Sequence, residues 1–95
     1  MSYYQRSYYS FTDHGLQRCK ERLKLQDLDD YQVHNEVFRL IKESTHKFET
    51  RQHIYIAAGN TRNYFVIDKF NNVIITCTPI SAEKQMKLEM YDDYY

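Results

Sequence analysis

Tryptophan is absent from the 95 residues, and proline (1), glycine (2) and cysteine (2) are scarce. Gly15 and Gly59 are too few and too far apart to form a glycine-rich loop that cradles phosphates. Cys19 and Cys77 show no C-x-x-C spacing, so neither a cysteine-based zinc site nor a disulfide framework is expected, and both read as packed, inert thiols. An excess of charge of one sign is also missing: 13 Lys+Arg stand against 13 Asp+Glu, which excludes a globally basic nucleic-acid binder and confines any electrostatic footprint to one part of the surface. No stretch approaches the about 18 consecutive apolar residues of a membrane span. The start, Met1-Ser2-Tyr3-Tyr4-Gln5-Arg6, has no apolar core of a signal peptide, so the expectation is a soluble, cytoplasmic chain without membrane contact.

The length predicts one domain over residues 1–95, with a core at about 11–78, and a chain of this size cannot enclose a deep cofactor cavity. No cofactor is therefore expected. His34, His46 and His53 have no histidine partner four residues away and no nearby ligand pair, so no metal site is expected either. A hydrophobic fraction of 42 % beside 27 % charged residues speaks for a folded chain rather than a disordered one.

What the chain has in abundance is tyrosine. Ten are present, clustered toward the ends at Tyr3, Tyr4, Tyr8, Tyr9 and at Tyr91, Tyr94, Tyr95. A ring with one apolar and one polar end suits an interface, so the tyrosine-rich termini, 1–10 and 91–95, are candidates to touch a nucleobase, a protein partner or a second copy in a homodimer. Residues 1–10 have no helical period and predict an edge strand or a loosely held arm.

Thr12 followed by Asp13 marks a helix start, and Leu16, Cys19 and Leu23 give an apolar stripe, predicting a first helix over 13–25. Asp29 with Gln32 three residues later has the form of a capping box, and Val33, Val37, Leu40 and Ile41 mark a second helix to about 42. The period then becomes that of strands at 46–50, 52–58, 63–69 and 73–78, rich in Ile, Val, Tyr, Phe and Thr and joined by short turns. Pro79 ends the last strand, and Ser81 can cap a short third helix to 91. The predicted class is α+β: two N-terminal helices packed on one face of a three- to four-stranded antiparallel meander, with a short C-terminal helix.

His14, Arg18 and Arg22 stand at i, i+4 and i+8, on one face of the first helix. Between residues 18 and 24 the cations Arg18, Lys20, Arg22 and Lys24 face Glu21 alone. An imidazole that titrates near neutrality beside guanidinium groups is what RNA cleavage by internal transesterification requires. The first moves a proton, and the second holds the phosphate as its charge develops.

The run Phe11-Thr12-Asp13-His14-Gly15-Leu16-Gln17-Arg18-Cys19-Lys20-Glu21-Arg22, then a V-x-x-L-I helix, then strands ending Asn72-Val73-Ile74-Ile75-Thr76, resembles a family of small bacterial and phage domains of unknown function. Those domains open with a His-x3-Arg-x3-Arg helix, close with an aliphatic-aliphatic-Thr strand, and look like relatives of the RelE, BrnT and colicin-type ribonuclease toxins. The resemblance covers about residues 11–78. It implies helices on a small antiparallel sheet, a metal-independent endoribonuclease or RNA-binding activity of toxin type, and a functional set in which His14 matches the helix histidine, Arg18 and Arg22 its arginines and Thr76 its strand threonine. The chain departs from the family pattern at Gly15, where alanine is typical and where glycine is expected to weaken the first helical turn, and in a longer polar connection between the helices.

Arg51 and His53, two apart at the start of a strand, predict one shared face that Tyr55 continues. The full expectation is a basic groove between the first helix and the sheet. His14, Arg18, Arg22, Arg51 and Thr76 would be its catalytic set, with His53, Tyr55 and Tyr64 binding a single-stranded RNA or tRNA. The other reading is a non-catalytic interaction module that grips an antitoxin or a host factor through its tyrosine-rich ends, since fold alone does not confer activity.

Overall fold

The structure is a computed structural model that describes residues 9–92. Its elements run β1 (Ser10–Phe11), α1 (Asp13–Arg22), α2 (Asp30–Glu43), β2 (Lys47–Glu49), β3 (His53–Ala57), β4 (Asn63–Asp68), β5 (Val73–Pro79) and α3 (Ala82–Asp92). The class is α+β, as the pattern of periods indicates. The sheet is larger than expected and mixed: five strands in the order β1-β5-β4-β3-β2, antiparallel except that β1 lies parallel to β5. None of the described helices is long and apolar enough to cross a membrane.

Local chemistry sets the helix ends. The Thr12 hydroxyl accepts the Gly15 N–H at 2.9 Å and starts α1. Asp29 and Gln32 form the reciprocal capping box of α2, with bonds of 2.8 and 3.0 Å. Helix α1 stops three residues earlier than its apolar stripe suggests. Lys24 enters the left-handed region at φ 59°, and the Leu25 N–H turns back to the Lys20 carbonyl at 2.8 Å, a closure usually made with glycine.

Two apolar layers sandwich the sheet. On one side Cys19 of α1 and Val33 and Val37 of α2 are buried with Ile56, Phe65, Ile67, Ile74 and Cys77. On the other, Phe48, Tyr55, Ala57, Tyr64, Val66 and Ile80 are buried, and Leu88 of α3 packs against them. Helices therefore cover both faces, not one. The Phe11 ring of β1 lies tilted against His34 at 4.4 Å and stacks on Phe38 at 6.5 Å, so β1 fixes α2 against the sheet edge.

A bulge in β5 distributes these layers. Val66 pairs with Thr76 and Ile67 with Ile74, leaving Ile75 as the extra residue. Ile74 and Cys77, three apart, both reach the α1 layer, while Ile75 joins the other. Unbroken alternation would have put Thr76 on the side of Ile74, beneath α1.

Candidate functional site

Helix α1 crosses the sheet from the start of β5 to the start of β4. At its beginning the Thr12 N–H donates to the Ile74 carbonyl at 3.2 Å, and at its end the Arg22 carbonyl accepts from the Asn63 side-chain amide at 3.4 Å. The backbone of α1 lies almost on β5: a methyl group on buried Gly15 would fall 2.2 Å from the Ile74 carbonyl oxygen. The glycine that the sequence presents as a weakness of the first turn is what lets α1 approach the strand.

That seating turns His14 and Arg18 outward together. His14 is exposed and Arg18 half-buried, and Arg18 Nε donates to His14 Nε2 at 3.4 Å, a long hydrogen bond. In this contact Nε2 is the accepting atom, since a guanidinium can only donate. Arg18 also meets Glu21 at 3.3 Å, a surface pair of little energetic weight with side chains 41 % and 43 % exposed. Arg22 is exposed two turns further along, about 12 Å from His14 by helical rise. It belongs to the far end of the helix, at the mouth of a recess lined by Leu23, Lys24, Leu25, Leu40 and Thr61.

The rest of the expected groove does not assemble. Thr76 stands opposite Val66, on the sheet face away from α1, because the bulge at Ile75 turns it over. Tyr55 and Tyr64 are buried in the second layer, where Tyr55 stacks on Phe48 at 4.5 Å and Tyr64 meets Phe48 edge-on at 5.7 Å. Burial raises the Tyr64 phenol above its ordinary pKa. No base can stack on rings so placed. His53 alternates with Ile54 onto that same far face, edge-on to Tyr55 at 6.0 Å. Arg51 precedes β3, which begins at His53, and is exposed in the bend after β2 rather than sharing a strand face. The sheet thus divides the expected set. His14, Arg18 and Arg22 lie on α1, and His53, Tyr55, Tyr64 and Thr76 lie behind it.

His53 has an unusual environment of its own. Its buried Nδ1 has no hydrogen-bond partner among the described residues, and it stands opposite Asp68. The Asp68 carboxylate accepts from the Asn71 side chain at 2.9 Å and the Phe70 N–H at 3.0 Å, and these bonds hold its pKa below the ordinary value. Lys20 does the same to Asp30, and Arg39 to Glu36. A carboxyl whose folded pKa is lowered adds stability above the ordinary carboxylate range, and that stability is lost as pH falls through the depressed value. The urea midpoint should therefore decline as pH drops below about 4, by a modest amount because these groups are well hydrated. A midpoint constant down to about pH 2 would contradict the assignment.

The two thiols also meet. Cys19 of α1 and Cys77 of β5 are both fully buried, and a hydrogen bond that the Cys19 thiol donates to the Cys77 sulfur, reinforced by burial, drives the Cys19 pKa far above the usual thiol range. They are free and unsuited to nucleophilic attack. Sequence spacing gives no sign of this contact, which only the crossing of α1 over β5 creates.

No protein-family model matches the chain, and neither curated proteins nor solved structures yield a relative.

Proposed function

We propose that the chain is an RNA-binding domain of the RelE/BrnT toxin type that cleaves its strand without a metal ion, with His14 and Arg18 at the scissile phosphate. The observation that carries this reading is the contact between Arg18 Nε and His14 Nε2 on the outer face of α1. A neutral imidazole with an unprotonated nitrogen is a competent base, and a guanidinium at its side is a competent phosphate ligand.

When a phosphodiester docks, Arg18 leaves the imidazole for the two non-bridging oxygens, and His14 Nε2 takes the proton of the ribose 2′-hydroxyl. The 2′-oxygen attacks phosphorus, the bond from phosphorus to the 5′-oxygen breaks, and the leaving oxygen draws a proton from water. The products are a 2′,3′-cyclic phosphate and a 5′-hydroxyl. Single-stranded RNA or an unpaired loop of tRNA, met in the cytoplasm, is the substrate class, since an unpaired strand reaches an open helix face most easily. Thr76, His53, Tyr55 and Tyr64 take no part, and Arg51 is not required.

Incubation with total tRNA and a labelled single strand in EDTA, resolved on a denaturing gel, tests this. Discrete products with cyclic phosphate ends are expected, and His14→Ala should slow their formation by about 10²- to 10⁴-fold. Cleavage indifferent to His14→Ala would overturn the assignment. A second reading, a non-catalytic protein-interaction module, is favoured by Met86 and Met90, 64 % and 54 % exposed one turn apart on α3. Loss of a co-purifying protein on Met86→Glu/Met90→Glu, without any cleavage by the parent chain, would support it instead.

A further inference from the structure

The chain is neutral overall, yet its cations are not evenly satisfied. Lys20, Arg39, Lys69 and Arg18 each meet a carboxylate. Eight other cations are exposed and make no ion pair among the described residues: Lys42, Lys47, Arg51 and Lys87, and a further set of four, Arg22, Lys24, Arg62 and Lys84.

Of these eight, Arg22, Lys24, Arg62 and Lys84 gather at one end of the molecule. The Arg22 carbonyl is tied to the Asn63 side chain, which brings the end of α1 to the turn between β3 and β4. The Arg62 carbonyl accepts the Ile80 N–H at 3.3 Å, which brings the same turn to the start of α3. Two open recesses flank it. One, of about 350 Å³, has Arg22, Lys24 and Thr61 on its wall, and the other, of about 540 Å³, has Arg62, Ser81 and Lys84. Glu36 also reaches the first recess, but its carboxylate is engaged by Arg39. Glu83, beside Lys84, makes no ion pair among the described residues. The turn itself is fixed, with Gly59 at φ 61° and the Thr61 hydroxyl donating to the Ala58 carbonyl at 2.8 Å.

We infer that this end is a phosphodiester-binding surface on which a single-stranded RNA continues beyond the His14–Arg18 site, its phosphates held by Arg22 and Lys24 and then, around the β3–β4 turn, by Arg62 and Lys84. The inference rests on the proposed RNA-binding function and assigns where the strand goes. Arg22 joins the two parts: it is on the His14–Arg18 face of α1 and also at the mouth of the first recess. Unpaired cations at the edges of two open recesses need not give up a protein partner to meet phosphate, and such contacts supply sequence-independent affinity through counterion release.

The test is fluorescence anisotropy with a labelled single-stranded RNA of about 20 nucleotides across a series of salt concentrations, comparing the parent chain with Arg62→Gln/Lys84→Gln, Lys24→Gln and Arg18→Ala. Each phosphate contact removed should lower the slope of log affinity against log salt by about 0.7, so the double variant should lose about 1.4 and Lys24→Gln about half of that. Unchanged melting temperatures identify these as binding effects. If the double variant and Lys24→Gln bind with the parent's affinity and slope while Arg18→Ala binds more weakly, the surface is not used and the inference falls with the His14–Arg18 reading intact. If the parent chain does not bind the strand, the functional reading fails and the inference with it.

Discussion

Gly15→Ala is expected to destabilise the domain by about 3 kcal/mol or more, at or beyond the upper end of the usual cost of overpacking. Two effects oppose each other at this position. Alanine favours a helix interior over glycine by about 1 kcal/mol, which alone would make the variant more stable. Against it, the new methyl group would lie 2.2 Å from the Ile74 oxygen and 3.0 Å from its carbonyl carbon, both backbone atoms of a strand paired on two sides. A side chain could swing aside, but β5 cannot. Helix α1 must lift instead, giving up the Thr12 N–H bond to Ile74 and the seating of Cys19 against Cys77. A domain of this length has roughly 5 to 14 kcal/mol of stability in all, so much of it would be lost. Urea unfolding of the two proteins decides between the effects, and a variant as stable as the parent would show that α1 does not lie so close to β5.

Phe65→Ala is the second large effect, with an expected loss of about 3 to 5 kcal/mol. Phe65 is fully buried in β4, pairs with Ile56 and Cys77 on the neighbouring strands and fills the layer beneath α1 and α2. No neighbour can collapse into the space without breaking a strand pairing, so the cavity would persist. Phe70→Ala is the control: Phe70 is 76 % exposed in the β4–β5 turn and should change stability by less than about 0.5 kcal/mol. Equal losses for the two would contradict the layering described above.

The α+β class and the main helix and strand positions were legible because they depend on local signals. The Asp29–Gln32 box and the stripe of Val33 and Val37 are written in consecutive residues, and the structure has both. The end of α1 was not, since Lys24 closes the helix in a conformation that the sequence gives no reason to assign to lysine. An edge strand is one of the two readings of residues 1–10, but the place of β1 at Ser10–Phe11 was not legible, because it is set by parallel pairing with β5 some 60 residues away. The candidate site was legible only where it lies on one element. His14 and Arg18 share a helical turn, so spacing suffices to bring them together. Thr76 depends on a count along β5 that the bulge at Ile75 shifts by one, and one residue is enough to send a strand side chain to the opposite face. Tyr55 and Tyr64 read as surface aromatics only if the far face of the sheet is open, and α3 with the layer around Phe48 closes it. Tyr3, Tyr4, Tyr8, Tyr94 and Tyr95, proposed as partner-binding ends, lie outside the described residues, as does the side chain of Tyr91.

The most direct measurement is an NMR titration of the four histidine rings with a 2′-deoxy-substituted single strand that cannot be cleaved. The His14 signals are expected to move with saturation as Arg18 transfers from the imidazole to phosphate, while His34, packed against Phe11, and His53, behind the sheet, stay in place. Shifts at His53 with His14 unmoved would put the strand on the far face of the sheet and show that His14 and Arg18 do not meet the phosphate.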